Sequence, residues 1–205
     1  MWAQVENNNV IKVFRRPKAL TIGDVNYPSN IFTMWSASEL EAIGIYEVVI
    51  DNSNLKDKGY YTNTNQSFNF SSGTVTASYG TATALPLDDV LWAEDDEDMP
   101  EGTSVGDVKQ TGIRQGHIDA INVQAGNILQ PTDWMVIRAT EGGTAVPSSI
   151  TTQRAAVRTK ANEMCTAINN AANVNALAAL YVYTNTGTES DPVYTRPLGE
   201  LPSVG

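Results

Sequence analysis

The sequence predicts an α+β fold: a β-rich N-terminal domain, then an α-helical hairpin module with a short strand and an extended C-terminal tail. Three observations carry that reading. Apolar residues alternate with a period of two through the first part of the chain, and the period rises to near 3.6 beyond residue 102. Between these regimes lies "LDDVLWAEDDEDMPEG", an acidic stretch that ends in Pro and Gly. The expected organisation is therefore a β-rich domain over 1–86, an acidic linker over 87–102, a helical hairpin module over 103–183 and an extended tail over 184–205.

In "WAQVENNNVIKVF", Trp2 and Val5 precede an "ENNN" turn and Val10, Val13 and Phe14 follow it, as in a β-hairpin. Pro17 and Pro28 bound the next segment. Further on, Ser36 and Glu39 have the spacing of a capping box, Leu40 and Ile43 supply an apolar pair, and Gly44 gives a stop. A two-turn helix over Ser36–Ile43 should feed a strand over Ile45–Ile50. "DNSNLKDKGYYTNTNQ" reads as a polar loop. Phe68 and Phe70 share one face of a following strand, and Val75, Ala77 and Tyr79 one face of the next, with Thr and Ser turned to water.

After the acidic stretch, Ile113, His117, Ile121, Ala125 and Ile128 form a single helical stripe. Gly112, Gly116 and Gly126 weaken it by about 1 kcal/mol each against Ala. "DWMVIRAT" sets Trp134 and Val136 against Met135 and Ile137, which predicts a short strand. "EGG" turns the chain, and Pro147 with the serines after it opens a second helix carrying Ile150, Val157, Ala161, Met164, Ile168 and Ala171. From Val157 onward the spacing alternates between four and three, a narrow coiled-coil-like seam of small residues. A short third helix follows Asn173 with Val174, Leu177 and Leu180. Three prolines in the remainder predict an extended tail.

Composition narrows the function. A net charge of −10 disfavours the phosphate backbone of nucleic acid as a partner. The single cysteine, Cys165, forms neither an internal disulfide nor a cysteine zinc cage. No window approaches the roughly 18 apolar residues of a membrane span, and "MWAQVENN" lacks the basic start and apolar stretch of a secretory signal. A protein made and used inside a cell, or in a particle assembled there, is expected.

No catalytic constellation stands out. His117 and Asp119 are two apart on a helix and do not face each other, so a structural histidine is the better reading than a general base. The acidic run Glu94–Asp98 lacks the spaced ligands and sharp-turn glycine of a calcium loop, and reads as solvated linker. "DNSNLKDKG" misses the calcium-loop register and reads as a turn. Cys165, beside seam residue Met164, reads as a small semi-buried hydrophobe. Tyr60, Tyr61, Tyr79, Tyr181, Tyr183 and Tyr194 are good strand filler; clustered on the surface, they would instead form a carbohydrate-binding face. No cofactor is expected.

The segment "LQPTDWMVIRATEGGTAVPSSITTQRAAVRTKANEM", through Leu129, Thr132, Asp133, Trp134, Arg138, Val146, Pro147, Arg154, Ala155 and Arg158, resembles a C-terminal module of tailed-phage tail proteins. Such modules occur in tail-fibre-associated and fibre-assembly proteins. The N-terminal half, in "MWAQVENNNVIKVF" and "IGDVNYPSNIFTMWSASELEAIGIYEVV", resembles the start of small virion proteins of marine tailed phages. The resemblance implies a non-catalytic virion protein of the tail or fibre-attachment region, or alternatively an assembly chaperone absent from the mature particle. It implies assembly in the host cytoplasm, other tail proteins as partners, a homo-oligomer with a trimer preferred, and a host-surface glycan as a candidate contact. Within the module, Arg154 and Arg158 share a helix face and are placed to pair with Asp133 or Glu141. Trp134 is the expected apolar anchor of the helix hairpin. Trp134, Arg138, Pro147, Arg154, Val157, Arg158, Met164 and Ile168 are thus the expected structural and docking residues. The thin Val157–Ile168 seam is expected to pack on other copies or on a neighbour.

Overall fold

Asn7 and Asn8 both sit at positive φ, 50° and 61°, in the computed structural model, which describes residues 1–204. Two such residues make the turn whose twist matches a β-hairpin, and here they join β1 (Trp2–Glu6) to β2 (Asn9–Phe14). The chain divides into two units, Met1–Thr83 and Ala84–Gly205. The architecture is α+β, with the main sheet in the first unit and the long helices in the second.

After β2 the first unit holds a small hairpin, β3 (Leu20–Ile22) and β4 (Val25–Tyr27), and two short helices, α1 (Ile31–Met34) and α2 (Ala37–Ala42). The expected capping box at α2 is present: Glu39 N–H donates to Ser36 Oγ, and Ser36 N–H donates to Glu39 Oε2 at 2.7 Å. Gly44, at φ +76°, ends the helix and returns the chain into β5 (Ile45–Asp51). The short β6 (Tyr61–Thr62) follows, then β7 (Gln66–Ser71) and β8 (Thr74–Tyr79), joined through Ser72 and Gly73 at positive φ. The main sheet runs β2-β1-β5-β8-β7, antiparallel except for the parallel pair β5 and β8. Its edge strands β2 and β7 approach each other, so the sheet curls into a half-barrel.

The two faces of this sheet bury different sets of residues, as the two-residue strand period requires. One face carries Phe14 and Ile45, which pack with Leu20, Ile31, Phe32 and Leu40 from the small hairpin and helices. The Phe32 ring lies 4.9 Å from that of Trp2 and 5.5 Å from that of Phe14. The other face buries Ala3, Val48, Val75 and Ala77, with Phe68 and Phe70 packed against them. Tyr46 meets Phe70 there at 4.7 Å between ring centres. The Phe68/Phe70 and Val75/Ala77 faces read from the alternation are the faces observed.

The second unit begins at the end of β9 (Thr83–Ala84), and its acidic stretch is built into the fold. Val90–Leu91 form β10, paired antiparallel with β11 (Val108–Gln110), and Lys109 is ion-paired with Asp96 while lying over the Trp92 ring. Upstream, the same stretch starts a helix. Ile113 N–H and Arg114 N–H donate to the carbonyls of Pro86 and Leu87, and Gly112 N–H to Asp89 Oδ1. These contacts satisfy donors at the start of α3 (Ile113–Leu129) that the helix itself leaves open.

A single 3-10 turn over Gln130–Thr132 leads from α3 into α4 (Asp133–Thr140), so "DWMVIRAT" is a helix and the expected strand is absent. Asp133 in its first turn and Arg138 in its last oppose the helix dipole favourably, and alternation over so few residues decides nothing without a strand to pair with. "EGG" then closes α4 in a Schellman turn. Gly142 at φ +85° donates to Ala139 O, and Gly143 to Arg138 O at 2.9 Å. The long α5 (Ser148–Asn169) begins after Pro147 as expected, and α6 (Val174–Ala179) is capped by Asn173, whose Oδ1 accepts from Ala176 N–H. The tail departs from the extended form: β12 (Thr184–Asn185) pairs with β13 (Tyr194–Thr195), and Leu198 is buried with its N–H donating to Leu180 O.

Gly44 and Gly23 give a matched test of the first unit. A Cβ on Gly44 would lie 2.9 Å from Val5 O, whereas one on Gly23 (φ +58°) meets open space. Both substitutions incur the left-handed penalty of about 1–2 kcal/mol, but Gly44→Ala must also displace β1. We expect Gly44→Ala to lower the urea midpoint clearly more than Gly23→Ala, with amide exchange accelerating most in β1 and β5.

Candidate functional site

Leu129, Thr132, Asp133 and Arg154 meet at one end of an antiparallel helix pair, α3 and α5. Arg154 lies on α5 with only 5% of its surface exposed. Its Nη1 donates to Leu129 O, the last residue of α3, at 2.7 Å, and to the Thr132 hydroxyl; its Nη2 donates to Asp133 Oδ1 at 2.6 Å. Thr132, itself buried, donates in turn to Leu129 O. The guanidinium thus caps the C-terminus of α3 and holds the start of α4 in one stroke. The expected Arg154–Asp133 pair is present. Arg158, by contrast, is exposed.

The opposite end of the pair has the same device with the helices exchanged. Arg114, in the first turn of α3, donates to the carbonyls of Ile168, Asn169 and Ala171 at the end of α5, at 2.6, 2.7 and 3.1 Å. Its Nε donates to Asp88 Oδ1, whose carboxyl this bond holds below the usual carboxylate range. Sequence reading missed Arg114 altogether. It also missed why Arg154 is buried, although a signal was there: Ile150 and Val157 are seven apart, and Arg154 fills the vacant seam position between them.

Between the two arginines the seam is core. Val157, Ala161, Met164 and Ile168 on α5 are buried within the unit, as are Ile121 and Ala125 on α3. The seam therefore packs inside its own chain and is not the surface for other copies that its thinness suggests. Trp134 corrects a second expectation. It is 53% exposed and lies beneath the Arg138 guanidinium at 4.8 Å, so it anchors no helix packing. Ile137, one turn further on, is 58% exposed, and α4 presents both to solvent. Pro147 marks the entry to α5, where its carbonyl accepts from Thr151 N–H.

The remaining candidates have structural partners. His117 Nδ1 shares a 2.8 Å hydrogen bond with the Tyr181 hydroxyl, while Asp119 accepts from Gln115. Burial lowers the His117 pKa. Burial also raises the Cys165 thiol, whose Sγ donates to Asn122 Oδ1 at 3.8 Å. Asp96 of the acidic run accepts from Ala93 N–H as well as from Lys109. Of the tyrosines, Tyr181 and Tyr183 flank Arg196 in the second unit. Tyr61 and Tyr79 line a cleft of about 500 Å³ in the first unit, together with Arg15 and Lys58. Among the described residues no group of His, Cys, Asp or Glu is arranged to hold a metal, and no helix is long and apolar enough to cross a membrane.

Compared with family models, curated proteins and solved structures, the chain matches none of them.

Replacing Arg154 should be costly and replacing Asp133 cheap. Arg154→Met leaves the Thr132 hydroxyl without its donor and the Leu129 carbonyl with only the donor from Thr132, with an expected loss of about 3 kcal/mol in denaturant unfolding. Asp133 is half exposed and Asn can still accept, so Asp133→Asn should cost under about 1 kcal/mol. The pH dependence follows from His117. Burial holds its folded pKa below the ordinary histidine value of 6.5, so the unfolded chain takes up the proton first as pH falls. The stability associated with neutral His117 is present above pH 6.5 and is lost as pH drops through the folded pKa. A His117→Gln variant should show a shallower acid-side loss across that window in the same unfolding assay.

Proposed function

We propose that this chain is a non-catalytic structural protein of a tailed-phage virion, sited in the tail or fibre-attachment region. There it connects tail components or contacts the host surface, having been assembled in the host cytoplasm. The observation that carries this reading is the convergence of Leu129, Thr132, Asp133 and Arg154, all of them residues of the tail-module resemblance, on one buried knot. A motif whose residues are consumed in fixing helices to each other is a motif of shape. The sole histidine is engaged with Tyr181, and the sole cysteine has a raised pKa, poor starting points for a base or a nucleophile.

The surface available for a neighbour in this reading is the outer side of α4, where Trp134 and Ile137 stand exposed beside the rigid knot. Other tail proteins are the proposed partners. Copies of the same chain, as a homotrimer, are the proposed assembly by analogy with fibres. The same exposed helix also suits an assembly chaperone that grips a partner and leaves, which is the alternative function.

Mass spectrometry of purified particles separates the two. The structural reading expects this chain in the mature virion at a fixed ratio to other tail proteins; its presence in assembly extracts and absence from particles would replace that reading by the chaperone. Trp134→Ala should change folding stability by no more than about 1 kcal/mol, the scale of an exposed cation–π contact. The same variant should reduce incorporation into particles, measured against the unmodified chain in a mixed assembly.

A further inference from the structure

We infer that the open end of the curled sheet in the first unit is a binding site for an acidic saccharide. The cleft there, about 500 Å³, is formed where β2 and β8 end and β7 begins, with the loop before β7 as one wall. Mouths of curved sheets are favoured ligand sites, and sites for small ligands run from about 300 to 1,000 Å³.

Charge points to the class of ligand. The chain carries 23 acidic side chains against 13 Lys and Arg, yet this cleft is lined by Arg15 and Lys58 and by no carboxylate. Neither cation enters an ion pair among the described residues. Two exposed cations brought together in an acidic protein suit a ligand bearing a carboxylate or phosphate. The other lining groups suit a sugar ring. Tyr61 and Tyr79 offer half-buried aromatic surface, and Asn65 and Gln66 offer amides that both donate and accept.

The wall is also rigid before any ligand arrives. Asn63 holds the loop closed, its Oδ1 accepting from Lys56 N–H and its Nδ2 donating to Lys56 O, both at 2.8 Å. Gly80 N–H donates to Thr64 Oγ1 at 2.7 Å, and Asn54 Nδ2 donates to Tyr79 O at 3.0 Å. These side chains are used up in building the cleft, which leaves Arg15, Lys58, Asn65 and Gln66 to meet the ligand against a wall already hydrogen-bonded to itself.

The site rests on the first unit alone, so it can fail while the proposed function stands, and the reverse. The test is an amide NMR titration of the full chain with trigalacturonate, with its uncharged methyl ester, with a hyaluronan tetrasaccharide and with inorganic phosphate. At least one acidic saccharide should give saturable shifts confined to residues 14–16, 55–66 and 79–80. The methyl ester should bind at least about tenfold more weakly than trigalacturonate where trigalacturonate binds. Arg15→Gln combined with Lys58→Gln, both at exposed positions, should lose about tenfold in affinity with the rest of the spectrum unchanged. Equal binding of ester and acid, phosphate binding as tightly as either saccharide, shifts outside the cleft, or no shifts with either acidic saccharide would each overturn the assignment.

Discussion

The second unit depends on two arginines that exchange helix ends. Each α-helix leaves its last four carbonyls without internal partners, and in this antiparallel pair each helix sends an arginine to the other's last turn. Arg154 reaches Leu129 O at the end of α3, and Arg114 reaches Ile168, Asn169 and Ala171 at the end of α5. A guanidinium has five donors in a rigid fork, so it can serve several carbonyls at once where an ammonium would serve one or two. The apolar seam between them is built mainly from Val, Ala, Met and Ile, which supply burial but few shape constraints on how far one helix slides past the other. The two end clamps supply that constraint. A slide of one turn, about 5.4 Å, would break both together.

Much of this was legible in the sequence wherever the interacting groups are close along the chain. The Ser36–Glu39 box, the Asn7–Asn8 turn, the helix start after Asn173 and the Gly44 stop each involve partners within a few residues, so spacing alone identifies them. The α3 stripe was legible too, because its buried residues Ile121 and Ala125 repeat with the helix. What escaped were contacts whose partners lie far apart, such as Arg114 with Ala171 and Asp88 with Arg114. Alternation misled at α4, where Trp134, Met135, Val136 and Ile137 carry no usable period because the helix buries none of them fully. An exposed apolar helix breaks the link between hydrophobicity and burial on which periodicity rests.

The first unit shows how topology leads to a site that composition conceals. Because β5 and β8 are parallel, the chain must travel back along the sheet before β8 can start. It does so through the loop after β5 and through β7, which pairs on the outer side of β8. That route leaves a polar loop at the end of the sheet where β2 also finishes, and there Arg15 joins Lys58. Read along the sequence, the two cations are 43 positions apart in a chain of strongly negative charge, and neither is conspicuous. The curl of the sheet brings them to one mouth.

A cleft with two cations in an acidic protein implies a particular regime of binding. Screening limits surface electrostatics to about 8 Å at physiological ionic strength, so the nearby cations outweigh the distant excess of carboxylates once a ligand has arrived. Long-range steering still runs the other way, because the net charge of −10 opposes the approach of an anion. Association is therefore not accelerated, and a single open cleft holds its ligand weakly. In the homo-oligomer proposed for the virion, weakness at one site is tolerable. Clefts repeated by symmetry meet repeating sugar units at an effective concentration in the millimolar range, and avidity can exceed single-site affinity by about 10²–10⁴ without any new contact. For a chain of net charge −10 meeting an acidic saccharide, retention by many weak, separately reversible contacts is better suited than one tight site, which would have to overcome the same repulsion alone.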